Sequence, residues 1–134
     1  DTSGAVALAK TQTCARDLGA QFRESRVEKI YLLLSAVTGR SPWPQFPRCK
    51  EKVDCSMDEA TDLGTDFWVH APIARCDGGW QGVDADGAEA LTHFAFLARA
   101  ENVALLLAKP CTGRTHQIRV HASHAGLPLF ADAG

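Results

Sequence analysis

An α+β domain, built on a mixed, mainly antiparallel sheet with flanking helices, is the fold class that this 134-residue sequence predicts. Three observations carry that expectation. Helical spacing of apolar residues is visible in only two places, one after Thr11 and one after Thr115. Two aliphatic runs, Leu91 to Arg99 and Val103 to Lys109, are parted by a short turn, which is the pattern of an antiparallel hairpin. No βαβ unit repeats along the chain.

Taken in order, Gly4 to Ala9 is a short apolar run that reads as a strand. From Thr11 to Ser25, Cys14, Leu18 and Phe22 recur every four positions with charged residues between them, which predicts an amphipathic helix capped by Thr11 or Thr13. Val27 to Val37 is aliphatic with one tyrosine and predicts a second strand. Residues 40–66 change character: Pro42, Pro44 and Pro47 crowd its start, and Trp43 and Phe46 are available to pin what reads as a loop insertion. Phe67 to Ala74 contains Pro72 and so predicts an edge strand or extended segment. Asp77 to Gly87, DGGWQGVDADG, reads as turns around an exposed loop. After the hairpin, a last helix is expected from about Thr115 to before Gly126, with Pro128 beyond the stop.

Composition excludes several functions. The longest apolar run, Ile30 to Val37, has eight residues, too short for a membrane span. With 14 basic against 16 acidic residues, bulk positive charge cannot hold nucleic acid, so any such contact needs a local cluster. Cys14, Cys49, Cys55, Cys76 and Cys111 lack metal or redox spacing and read as free thiols of an intracellular protein. Mitochondrion, cytoplasm and nucleus are all compatible with that reading. The glycines and acids of Asp77 to Gly87 do not follow a calcium-loop pattern. His116 and His121 are five apart, off a common helix face, and no HExxH is present, so no metal is expected.

The chemistry concentrates in KPCTGRTHQIRVH, Lys109 to His121, where a tight turn leads into a polar helix. Thr115, Arg119 and Ser123 would share one face, and Ile118, Ala122 and Ala125 the face that packs inward. Cations near a helix start oppose its dipole, so an anionic partner is expected there.

This stretch resembles the KPxTGRxHQxRVH motif of the RluA-like pseudouridine synthases, and it continues into GLPLFAD, which is similar to their GHPLLGD. Three further segments agree. DTSGAVALAKT resembles the end of HRLDxxTSGLLxxAKT, aligning Thr2, Ser3, Gly4 and Lys10. Lys29 to Val37 resembles a KxYxAxVxG strand, and Ala90 to Phe94 an AxTxY strand. The resemblance thus covers most of the chain outside residues 40–66. It implies a pseudouridine synthase fold, incomplete at both ends, that isomerises uridine within structured RNA without metal or organic cofactor. It implies ribosomal RNA as partner, with transfer RNA the alternative, no membrane, and membership of a ribosome-assembly complex as a further expectation.

The same resemblance implies catalytic roles for Tyr31, which would stack on the flipped uracil, and for Arg119, which would pair with a nucleophilic aspartate. That aspartate would fall two residues before Asp1. Arg114, His116, Gln117 and His121 are expected to bind the RNA backbone or shape the pocket. A second reading is an inactive RNA-binding or ribosome-assembly factor with the same fold.

Overall fold

The computed structural model describes residues 4–37, 66–76 and 78–130. The first regular element is α1, Gln12–Arg23. Thr11 caps it, its side-chain oxygen accepting from the Cys14 amide at 3.2 Å. The chain leaves α1 through Ser25 in the left-handed region (φ 53°), with Arg26 N donating to Gln21 O and Ser25 N to Phe22 O. No residue of α1 is buried among the described residues.

Six strands follow. β1 is Tyr31–Ala36, β2 Asp66–His70, β3 Ile73–Arg75, β4 Gln81–Val83, β5 Leu91–Ala100 and β6 Val103–Pro110. β1, β6, β5 and β2 form one sheet in that spatial order, and β3 and β4 form a separate two-stranded ribbon. All these pairings are antiparallel. The expected β5–β6 hairpin is present, turning through Glu101 at φ 49°. The insertion expected at residues 40–66, with Trp43 and Phe46, lies outside the described residues except for Asp66, which opens β2 instead.

Alternation along the strands decides what is inside. Leu33, Leu106, Phe94 and Phe67 face one side together with Ala104, Ala108 and Val69. The rings of Phe67 and Phe94 stack at 5.1 Å. Against this face lies α2, Gln117–His124, which contributes Ala122 and is followed by Ala125 and Leu127. Alanines allow the short helix to sit close to the sheet, and each fully buried leucine or phenylalanine contributes roughly 1.5 to 3 kcal/mol.

The end of α2 fixes the return of the chain. Gly126 takes φ 75°, Gly126 N donates to Ser123 O, and Leu127 N donates to Ala122 O at 2.8 Å. This is a Schellman stop, and a glycine suits its left-handed residue. The next residues run back along the outer edge of β1: Ala36 N donates to Pro128 O and Phe130 N to Leu34 O, both at 2.8 Å. Buried Ser35 donates its hydroxyl to Leu127 O, with Pro128 O 2.9 Å away.

Three expectations about elements need correction. Gly4 to Ala9 is not a strand; Val6 and Leu8 stand in solvent, and among the described residues no neighbouring strand takes up its backbone groups. Phe67 to Ala74 is an edge strand as expected only as far as His70, where β2 ends at the edge of the main sheet; Pro72 supplies no amide, and the chain leaves that sheet to start β3. Asp77 to Gly87 contains a strand, β4, where only turns were expected; three residues are too short for alternation to be seen.

Candidate active site

The expected catalytic pair meets in one groove. Tyr31 opens β1, Arg119 lies on the exposed face of α2, and both line a cleft of roughly 760 Å³. Lys29, Arg114 and His116 also line it, as do Leu33 and Ile118 at its apolar side. Tyr31 is 44% exposed, so its ring is open to a ligand. Two well-separated segments thus supply one basic and aromatic cleft. Nothing in the overall charge suggested this: Lys29, Arg114 and Arg119 line the groove, and among the described residues none of those lining it is Asp or Glu.

The turn between β6 and α2 is tied down from two sides. Lys29 donates from Nζ to Thr112 O at 3.0 Å, linking the approach to β1 with this turn. Arg114 donates from Nε to Glu89 O at 2.9 Å and remains exposed at the rim. His116 follows in the left-handed region, φ 55°, and forms the N-cap without a side-chain bond. The helix therefore begins at Gln117, two residues later than the spacing after Thr115 predicts. Thr115 therefore precedes the helix, and it is exposed together with Arg119 and Ser123, which share the outer face of α2.

Gln117 and His121 were expected to bind the RNA backbone or shape the pocket, and their placement suits the second role, Gln117 being among the residues that line the cleft. Both are buried, and their hydrogen-bond partners lie inside the protein. The Gln117 carboxamide oxygen accepts from Arg114 N at 3.0 Å and from the Thr112 hydroxyl at 2.7 Å. Its amide nitrogen donates to Leu91 O at 3.0 Å and to Thr92 Oγ1 at 2.9 Å. Thr112 Oγ1 in turn accepts from Leu91 N at 3.1 Å. The amide orientation is fixed by chemistry, since Arg114 N can only donate and Leu91 O can only accept.

His121 closes the chain of bonds. Its Nε2 lies 2.9 Å from Ala71 O, so that nitrogen carries the proton. Burial, foremost, lowers its pKa from 6.5 to about 4, with His124 and His70 acting in the same direction and the Ala71 carbonyl opposing. The ring is therefore neutral at pH 7, and Nδ1 accepts from the Thr92 hydroxyl at 2.9 Å. Each donated hydrogen from Leu91 N to His121 Nε2 has an acceptor, and no buried side-chain polar atom among the described residues lacks a partner. Burial also lowers the pKa of His124.

A second groove, of roughly 930 Å³, lies on the other side of Arg119 and His116 and extends to the β3–β4 ribbon. No group of three or more His, Cys, Asp or Glu residues that could hold a metal occurs among the described residues, and Cys14, Cys76 and Cys111 are free thiols there. Sequence reasoning missed Thr92, Thr112 and Lys29 as parts of the site. The AxTxY similarity marked Thr92 without hinting that its hydroxyl joins two buried side chains.

Comparison with known proteins matches this chain to a family. Residues 1–124 fit the family model described as RNA pseudouridylate synthase, and the chain belongs to that family. Among curated relatives it is similar to ribosomal large subunit pseudouridine synthase C of Vibrio parahaemolyticus, 35% identical over 133 residues. The same protein of Pasteurella multocida is 35% identical over 132 residues. Each match covers 98% of this chain and 35% of the relative, so the chain spans about a third of their length. In fold it is similar to human RNA pseudouridylate synthase domain containing 1, with a TM-score of 0.64 at 24% identity, covering 92% of this chain and 46% of that one. Human RNA pseudouridylate synthase domain containing 4 gives a TM-score of 0.61 at 21% identity, covering 91% and 43%.

Proposed function

We propose that this chain is part of the catalytic domain of an enzyme that isomerises uridine to pseudouridine in structured RNA, with ribosomal RNA as substrate. The observation that carries the proposal is the meeting of Tyr31 and Arg119 in one cation-lined groove. A stacked uridine cannot present its glycosidic bond, so the nucleotide is flipped into the groove, where the Tyr31 ring stacks on the uracil. An aspartate from just upstream of Asp1 supplies the covalent nucleophile, and Arg119 keeps it ionised by an opposite charge at short range.

The reaction breaks the bond between N1 and the sugar carbon, turns the uracil, and joins C5 to the same sugar carbon. C5 then loses a proton, for which the Tyr31 hydroxyl is the candidate acceptor, and N1 gains one. Atoms and electrons balance without a cofactor. Arg114 and His116 contact the RNA backbone at the rim. The names of the curated relatives support ribosomal RNA over transfer RNA.

The test uses the full-length protein and unmodified large-subunit ribosomal RNA transcribed in vitro, with pseudouridine mapped chemically. Arg119→Ala should lower the rate by about a hundredfold or more, the scale for removing a group that stabilises reacting charge, while binding weakens far less. Unchanged pseudouridine formation would overturn the assignment. RNA binding by the wild type without any turnover would favour an inactive RNA-binding factor.

A further inference from the structure

We infer that the β3–β4 ribbon carries a second nucleotide position, in which Trp80 is a stacking platform for an unpaired base beside the target uridine and Arg75 holds the adjoining phosphate. This rests on the proposed RNA substrate and adds to it a site outside the Tyr31 groove.

Trp80 is the starting point. It is 63% exposed, although an indole is among the side chains that gain most from burial. The ring is nevertheless held in place. A Cβ on Gly78 would lie 3.3 Å from Cδ1 and 3.4 Å from Nε1; one on Gly82 would lie 3.0 Å from Cζ3 and 3.6 Å from Cη2. The five-membered and six-membered ends of the indole thus rest on backbone that carries no side chains, which leaves the rest of the ring uncovered. A rigid, backed and open aromatic surface is what a base needs for stacking, and stacking tolerates any base.

Charge and continuity select the occupant. The Arg75 guanidinium lies against Gly79, one residue from Trp80; a Cβ there would come 3.2 Å from Nη2. Arg75, Trp80, Gln81 and Ser123 line the groove of roughly 930 Å³, a volume on the scale of a bound nucleotide. Its lining includes no Asp or Glu among the described residues, in a chain whose net charge is −2. His116 and Arg119 line this groove and the Tyr31 groove alike, so one strand of RNA can pass from one to the other across them. Val83, Val120, Pro128 and Leu129 give the same groove an apolar side that base faces can use, and the cations Arg75 and Arg119 with no described acid beside them favour a polyanion over a protein surface.

The test compares wild type, Trp80→Ala, Trp80→Phe, Trp80→Leu and Arg75→Gln in the full-length protein, using two probes. The first probe is unmodified large-subunit ribosomal RNA, with Kd by filter binding and the single-turnover rate at saturation. The second is a single-stranded oligouridylate, read by binding alone. Trp80→Ala should raise Kd about tenfold on both probes, with the saturated rate on ribosomal RNA changed less than about twofold. Trp80→Phe should restore most of the affinity and Trp80→Leu should not. Arg75→Gln should flatten the salt dependence of log Kd by about 0.7 to 0.9, one phosphate contact.

Equal restoration by leucine and phenylalanine would reduce Trp80 to packing and overturn the inference. So would unchanged binding of both probes, and a simultaneous change in sedimentation would reassign the residue to a protein contact. If the wild type neither binds nor modifies ribosomal RNA, the proposed function fails. The oligouridylate arm still decides whether Trp80 stacks on a base.

Discussion

Protonating His121 should unfasten the interior of this domain at mildly acidic pH. In the folded chain the imidazole titrates near 4, against 6.5 for an ordinary solvated ring. A group whose folded pKa is lowered binds protons more readily in the unfolded state, so stability rises with pH across that window and falls as pH drops through it. At about 1.4 kcal/mol for each pH unit, His121 alone should cost roughly 2 kcal/mol between pH 7 and pH 5, and roughly 3 kcal/mol by pH 4. The structural cause is specific. A proton on Nδ1 would turn the acceptor of the Thr92 hydroxyl into a donor, and Thr92 Oγ1 already accepts from Gln117. His124, also lowered by burial, adds loss of the same sign. The assay is urea denaturation of the full-length protein at pH 7 and pH 5, comparing wild type with His121→Gln. The variant should be less stable at pH 7 but should lose about 2 kcal/mol less on acidification. Identical losses in the two proteins would refute the assignment of the neutral ring to this network.

Two other substitutions probe the same interior and the ribbon beside it. Thr92→Val keeps the shape of the side chain but leaves His121 Nδ1 and one of the two Gln117 Nε2 hydrogens without a partner in the interior, the other still donating to Leu91 O, and should destabilise by about 1 to 3 kcal/mol in denaturant titration. Gly87→Ala would bring a Cβ within 2.5 Å of the Ile73 carbonyl carbon and 2.7 Å of its oxygen. Backbone cannot yield as a side chain does, so the paired bonds between Ile73 and Ala88 should loosen, costing about 1 to 3 kcal/mol and lowering hydrogen-exchange protection across residues 73–88.

The parts of the fold that are legible in the sequence are those with enough residues to display a period. α1, the β5–β6 hairpin and the glycine-stopped final helix all announce themselves by spacing and by Thr11, Gly126 and Pro128. β4 does not, because three residues cannot show an alternation, and Gly4 to Ala9 misleads because an apolar run does not specify a partner strand. At the site, the expected meeting of Tyr31 with Arg119 comes from motif resemblance, since 88 positions separate them and no local pattern joins them. The burial of Gln117 and His121 is not legible in the sequence, for a physical reason. Polar side chains on a short helix are ordinarily solvent-facing, and their interior placement depends on Thr92 and Thr112, hydroxyls supplied by β5 and the turn after β6. Trp80 reads as part of an exposed loop because the glycines around it serve equally to bend a chain and to seat a ring.

The return of residues 127–130 along the edge of β1 completes a closed circuit. β1 bonds to β6, β6 leads through the Thr112 turn into α2, and the chain beyond α2 bonds back to β1. Tyr31 and Arg119 therefore sit on two sides of one frame that is fastened at both ends. The breadth of the groove between them is set by the perimeter of that frame. Changes at Ser35 or Leu127, neither of which lines the groove, would alter how wide it stands.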